Sequence, residues 1–195
     1  MPLWGATDAD ESKPKWLTTA QKKEVFADTT GWVVEGGSTM TGNDNTSAAP
    51  EILAAIGGLT TKIGAADITG VEWITTAADK SAGFTLSVRV RWNEAVTVTG
   101  NPTLAVTNRN QGTGSGRGPH SLVYASGSGS NELAFSLAIA AANAATNADD
   151  VLTVAAQTIA LAGGTIKDTA DGTTVSARAI SGAQGTACGS ITVVA

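Results

Sequence analysis

Phe84, Leu86, Val88, Val90 and Trp92 alternate with Thr85, Ser87, Arg89, Arg91 and Asn93, and this run constrains the fold more than any other feature. Successive strand side chains point to opposite faces, so a period of two sets one apolar row inward and one polar row toward water. Leu133, Phe135, Leu137 and Ile139 repeat the pattern against Glu132, Ser136 and small alanines. Shorter strands are expected at Val71–Thr75, Thr103–Thr107, Ser121–Ala125, Thr158–Leu161 and Ser190–Val194. Turn signals separate them at Gly100-Asn101-Pro102, Gly127-Ser128-Gly129-Ser130, Gly163-Gly164 and Asp171-Gly172. About seven short strands at such spacings predict an all-β fold, a sandwich of two antiparallel sheets. Trp92, Phe84 and Phe135 would lead its core.

Composition agrees with that pattern. Charged residues make up 15% of the 195-residue chain, while Gly, Ala, Thr, Ser and Val are abundant. This mixture suits strands joined by tight turns rather than long helices. The length fits one domain plus an appendage. A net charge of −5 argues against nucleic-acid binding, which needs a basic surface to neutralise phosphates. Met1-Pro2-Leu3-Trp4-Gly5 turns polar at once, unlike a signal peptide. No apolar run approaches the roughly 20 residues that span a bilayer. Neither secretion through a cleaved signal nor a membrane partner is expected.

The chain divides into three stretches. Residues 1–35 read as an N-terminal arm that holds Trp4, Trp16 and Trp32, three of the five tryptophans, and Lys13, Lys15, Lys22 and Lys23. Thr18-Thr19-Ala20-Gln21 is a capping box, in which the Thr hydroxyl and the Gln side chain satisfy each other's backbone N–H groups. It predicts a short helix over about residues 19–27, ending in Val25 and Phe26 and too short to stand alone in water. Residues 36–64 read as a Gly/Ser/Thr-rich linker. Within it, Pro50 to Ile56 could form one or two helical turns with Pro at a permitted first position. Residues 65–195 form the sandwich.

The alternating region also carries a resemblance. Val90-Arg91-Trp92-Asn93-Glu94-Ala95-Val96-Thr97-Val98-Thr99-Gly100-Asn101-Pro102-Thr103-Leu104 resembles a bacterial Ig-like repeat. The likeness continues through Tyr124-Ala125-Ser126-Gly127-Ser128-Gly129-Ser130 and Leu133-Ala134-Phe135 to Gly163-Gly164-Thr165-Ile166-Lys167-Asp168, covering about residues 66–178. It implies an Ig-like antiparallel β-sandwich of the kind used as a spacer or binding module in surface proteins, adhesins and phage structural proteins. The chain departs from the pattern in a longer glycine-rich insert, Asn110 to Pro119, and in having a single repeat. In the arm, Trp4-Gly5, Asp8, Lys13-Pro14-Lys15-Trp16-Leu17, Lys23-Glu24-Val25-Phe26-Ala27 and Gly31-Trp32 are similar to the start of virion structural proteins of marine tailed phages.

The chemistry-bearing residues point away from catalysis. Gly112 to Gly118 lacks the Gly-Lys-Ser/Thr ending of a phosphate loop and reads as a flexible loop or a partner-contacting tip. His120, the sole histidine, follows it without a recognisable nucleophile or orienting carboxylate, and an exposed loop residue is expected. Asp149-Asp150 and Asp168 to Gly172 offer hard oxygens but lack a calcium loop's ligand ladder, so turn chemistry accounts for them and no metal or other cofactor is expected. Glu72, Glu94 and Glu132 stand at strand positions without an acid–base context for glycosidase work. Cys188, the sole cysteine, excludes an intrachain disulfide and reads as a small buried side chain. Asn45-Thr46-Ser47 matches a glycosylation sequon that has no meaning without secretion.

Trp4, Lys13, Lys15, Trp16, Phe26 and Trp32 are the candidate partner-binding residues. Aromatics bury large area at low entropic cost, and adjacent lysines supply a polar rim. The reading that follows is a non-enzymatic virion structural protein, present in multiple copies and decorating or cementing a phage capsid through its arm. A neck, tail or fibre-associated protein is the alternative within that class. A carbohydrate-binding or adhesive module is the alternative outside it, and would need an exposed aromatic platform that the inward pattern of Trp92 and Phe135 does not provide.

Overall fold

The computed structural model describes residues 13–28, 30–55, 65–109, 119–141, 146–170 and 172–195. The chain is all-β with two short helices. In order it runs α1 (Thr19–Lys23), β1 (Val25–Asp28), β2 (Gly31–Val34), β3 (Glu51–Ala55), β4 (Ile68–Trp73), β5 (Ala78–Asp79), β6 (Phe84–Thr99) and β7 (Thr103–Arg109). It continues through β8 (His120–Ser126), β9 (Ser130–Ile139), β10 (Val151–Thr153), β11 (Gln157–Thr158), β12 (Thr165–Asp168), β13 (Ala179–Ile180), α2 (Gly182–Cys188) and β14 (Ser190–Val194).

Nine strands make one large curled sheet in the order β12-β6-β9-β8-β7-β10-β14-β5, with β4 also paired to β6. All its pairings are antiparallel except β14 with β5. Strands β11 and β13 form a separate antiparallel pair. The curl brings α2 back against β4, where Gln184 Nε2 donates to the Ile68 carbonyl at 2.7 Å and Trp73 Nε1 donates to the Gly189 carbonyl at 3.4 Å. A sandwich-like enclosure results. Inside it lie Leu86, Val88, Val90 and Trp92 from β6, Leu133 and Phe135 from β9, Leu122 from β8, and Leu104 and Val106 from β7.

The alternating run therefore does what its period requires. Register pairs Val88 with Phe135 and Val90 with Leu133, so the two strongest apolar rows share one interior face. Trp92 anchors the far side of the core by donating from Nε1 to the Ala177 carbonyl at 2.8 Å. The β8–β9 hairpin turns through Gly127, whose φ of 106° no other residue adopts cheaply. Tyr124 then crosses back, its hydroxyl accepting from Ser128 N at 2.9 Å and its ring packed edge-on to Phe135.

The first 55 residues differ from the sequence reading in three places. Helix α1 starts at the expected capping box, with Thr18 and Gln21 bonded reciprocally. It ends at Lys23, and Val25 and Phe26 enter strand β1 instead of closing the helix. Strand β1 pairs with β2, and β2 pairs on its other side with β3. The stretch after Pro50 is thus a strand, not helical turns, because its backbone completes the edge that β2 leaves open.

The described part of residues 36–64 is correspondingly folded. Between β2 and β3, polar side chains bind the local backbone: Met40 N donates to Ser38 Oγ at 3.1 Å, Asn45 N to Asn43 Oδ1 at 3.1 Å and Ser47 N to Asn45 Oδ1 at 3.0 Å. Gly37, at φ 81°, lets this loop close on Thr46. Leu17, Val25, Trp32 and Val34 form a second small core, with Met40, Leu53 and Ala54 packed against it. The arm region is a small three-stranded module seated on β6 through β1.

Because Phe135 is fully buried at the centre of the main core, Phe135→Ala should cost about 3–5 kcal/mol of stability. Denaturant unfolding followed by circular dichroism measures it. A loss of under about 1 kcal/mol would show that β9 does not centre the core.

Candidate functional site

The structure separates the six candidate partner-binding residues sharply. Trp4 lies outside the described residues. Trp32 is completely buried and fills the small core with Leu17, Val25 and Val34. Phe26 is buried at the seam between the module and the sandwich. Lys13 is buried as well, and its ammonium donates to the Lys22 carbonyl at 2.7 Å, at the C-terminal end of α1. A cation there meets the unsatisfied carbonyl end of the helix, where it is favoured.

Lys15 and Trp16 are different. Both are exposed, and Trp16 keeps 65% of its surface in water. They sit in the turn between Lys13-Pro14 and α1, and Leu17 takes the inward direction instead. Of the five described candidates, these two are exposed while the module stays folded. Trp32, Phe26 and Lys13 hold the module together.

The seam beneath the module carries a concentrated charge cluster. Arg91, on the face of β6 opposite the main core, is only 6% exposed. Its guanidinium donates to Glu35 Oε1 at 2.8 Å, bonds Glu132 of β9 through Nε, and lies 3.3 Å from Glu72 of β4. Arg89 supports Glu132 at 3.4 Å, and Lys23 approaches Glu72 at 3.6 Å from the module. Burial alone would lower the Arg91 pKa, but Glu132 and Glu35 outweigh it and the pKa is raised. Burial pushes Glu35 up to about 7 against the opposing pull of Arg91. A cleft of about 250 Å³ opens beside this cluster, lined among others by Phe26, Glu35, Pro50, Asn131 and Glu132. Glu72 and Glu132 are therefore partners of a buried arginine.

His120 is not the exposed loop residue that the sequence suggests. It opens β8 and is buried, with Nε2 lying 3.3 Å from Thr146 Oγ1 and 3.5 Å from Asn108 Nδ2. Asn108 Nδ2 in turn donates to Asp150 Oδ2 at 3.0 Å, and Asn147 N donates to the same oxygen at 2.8 Å. Strand alternation explains the placement: His120 and Leu122 share the inward row of β8. Burial lowers the His120 pKa, and the Asp150 charge offsets part of that shift.

The other chemical candidates occupy structural positions. Asp168 is buried, and its Oδ1 accepts from Ala170 N at 2.7 Å in a local turn. Among the described residues, no three His, Cys, Asp or Glu side chains converge as metal ligands. Cys188 ends α2 half-buried, and burial pushes its thiol up to about 11, so it is protonated at neutral pH. Among the described residues, no helix is long and apolar enough to cross a membrane.

The His120 network predicts a pH-dependent cost. Replacing His120 with Ala should destabilise the chain by about 1–3 kcal/mol, because buried Asn108 and Thr146 lose a partner. A His whose folded pKa is depressed binds more protons when unfolded, so its contribution is full above the unfolded value of 6.5 and is lost as pH falls. The gap between wild type and His120→Ala should therefore narrow in acid. Urea unfolding across that range measures it, and a gap that widens in acid would contradict the buried neutral imidazole.

Comparison with known proteins finds no matching protein family, no matching curated protein and no matching solved structure.

Proposed function

We propose that this chain is a non-enzymatic virion structural protein that decorates or cements a phage capsid, attaching through the Lys15–Trp16 face of its N-terminal module. The carrying observation is the exposure of Trp16 beside Lys15 on a module whose other described tryptophan is wholly buried. A large aromatic left in water contributes little to its own fold and much to a partner that covers it. The Ig-like reading of the sandwich supports the proposal, since such a domain suits a rigid projecting body that gains strength from many copies. Trp92 and Phe135 support it from the other direction: both point into the core, so neither offers a stacking platform for a sugar.

Attachment is then binding without turnover. Each copy contributes one modest interface, and the repeated contacts on a shell add through effective concentration. The module's own core sets the angle at which Trp16 is presented, which lowers the ordering cost of binding.

Purified variants mixed with shells that lack this protein test the proposal. Trp16→Ala should weaken binding by about 2 kcal/mol or more, roughly thirtyfold, without changing the melting transition. Lys15→Ala should cost less and make binding less sensitive to salt, as expected of a rim charge. Trp32→Ala should also lose binding, but through loss of the module's fold, visible in its circular dichroism. Undiminished binding by Trp16→Ala would move attachment to another surface. Binding to purified necks or tails, and not to shells, would place the protein at those structures instead.

A further inference from the structure

The seam between module and sandwich contains an electrostatic arrangement that attachment does not require. Glu35 leaves the end of β2 and enters the interface, where its side chain is only 14% exposed. Oε1 accepts from Arg91, but Oε2 is buried with no donor facing it among the described residues. Glu132 of β9 binds the same Arg91 guanidinium, so one cation gathers the Glu35 and Glu132 carboxyl groups. Two bare carboxylates cannot bond each other; a carboxylic acid and a carboxylate can. One proton on Glu35 therefore removes both the orphaned oxygen and the repulsion.

The surrounding charges decide whether that proton stays. Against Glu35 stand Arg91 of β6, Glu132 of β9, and Glu24 at the end of α1, whose carboxylate accepts from Ser38 Oγ. One step further out are Glu72 of β4, Arg89 of β6 and Lys23 of α1. Arg91 favours the charged form of Glu35, yet it is already engaged by Glu132 and Glu72. Burial and two neighbouring carboxylates oppose it, and they raise the Glu35 pKa to about 7. The seam is held on both sides, because Glu35 belongs to the module and Glu132 to the sandwich.

We propose that a proton shared between Glu35 and Glu132 latches the N-terminal module to the sandwich, so that the module is held in acid and loosens as pH rises. The sign follows from linkage. A carboxyl group whose folded pKa lies above its unfolded value contributes stability that is complete below about 4.5, the ordinary Glu value, and is lost as pH rises through about 7. Loss of the proton sets a second buried charge beside Glu132, and the least costly relief is for the segment carrying Glu35 to move out toward water. Loosening would be confined to the module because Val90, Trp92 and Leu133, the chain neighbours of Arg91 and Glu132, belong to the main core.

Hydrogen exchange on the full chain tests the latch, read as protection factors so that the intrinsic base catalysis of exchange is removed. Between about pH 5.5 and about pH 8, protection of residues 25–28 and 31–34 should fall on the order of tenfold, while β9 amides in the main core stay level. Glu35→Gln, which keeps the shape of the protonated acid and can still donate to Glu132, should hold high protection at both pH values. Glu132→Gln should flatten the dependence too, by supplying a donor from the other side. A direct ¹³C titration of the Glu35 carboxyl in the wild-type chain stands independent of either variant's folding. Equal module protection at both pH values, a fall that persists in Glu35→Gln, or a Glu35 midpoint in the ordinary carboxylate range would each overturn the proposal.

Discussion

Burial of the Arg91 charge is the constraint on which the arrangement of the two parts depends. Strand β6 alternates cleanly up to Val90, and then Arg91, Trp92, Asn93 and Glu94 are all buried. Trp92 faces the main core. Arg91 faces the other way and would be wet, were it not covered by the N-terminal module. An ion of that size removed from water costs several kcal/mol, and no single carboxylate returns it. Three carboxyl groups from three different places meet Arg91: Glu72 from β4 and Glu132 from β9 supply charge, and Glu35 from the module supplies an acceptor oxygen at 2.8 Å. The module can sit where it does only because it brings one of those partners with it.

The cluster is consequently a specifier of position more than a source of net stability. Replacing such a group by well-packed apolar side chains is often neutral or favourable, whereas removing one partner strands the rest. Arg91 suits the role better than a lysine, because its planar fork engages several carboxylates at fixed angles. Lys23 and Glu72, at 3.6 Å and with more than a third of each side chain in water, lie at the rim, where an ion pair contributes little. Strand β1 rests on β6, and the buried Arg91 cluster ties module and sandwich together beside it.

The sandwich was legible in the sequence because its signal is local. Period-two alternation needs only neighbouring residues, so β9, β7 and β14 emerge near their observed limits and β6 emerges over Phe84 to Asn93, short of its end at Thr99. Alternation reports a strand's two faces but not what covers them, and Arg91 therefore read as a wet residue and His120 as a loop residue. The N-terminal module was harder for a related reason. Thr18 to Gln21 correctly marked a helix start, and the apolar Val25-Phe26 that follow suit a helix end and a strand start equally well. The Thr29-Thr30-Gly31 turn followed by Trp32-Val33-Val34 was the available hairpin signal. Residues 36–50 looked like a linker because Met40 is their only large apolar side chain. Their order comes instead from Ser38, Asn43 and Asn45 bonding their own backbone, a local device that composition does not separate from flexibility. Helix α2 carries the same capping signature as α1, Ser181 with Gln184, and went unread because two glycines follow it so closely.

Two tryptophans of the same segment show how position divides a compositional signal into separate roles. Trp32 lies in the central strand of the three, between β1 and β3, and all four residues of that strand are buried. Its indole is needed there, because a core this small has few other large side chains to exclude water. Trp16 lies in a turn where Leu17 takes the inward position. Folding of the module thus buries Trp32 and leaves most of Trp16 in water. A single exposed apolar residue is ordinary on any protein surface. A tryptophan is the costliest residue to leave there, and this one stands on a rigid turn beside a lysine whose charge is also in water. Cover supplied by another molecule is the arrangement in which both residues contribute free energy, and the small core around Trp32 is what keeps them ready to make it.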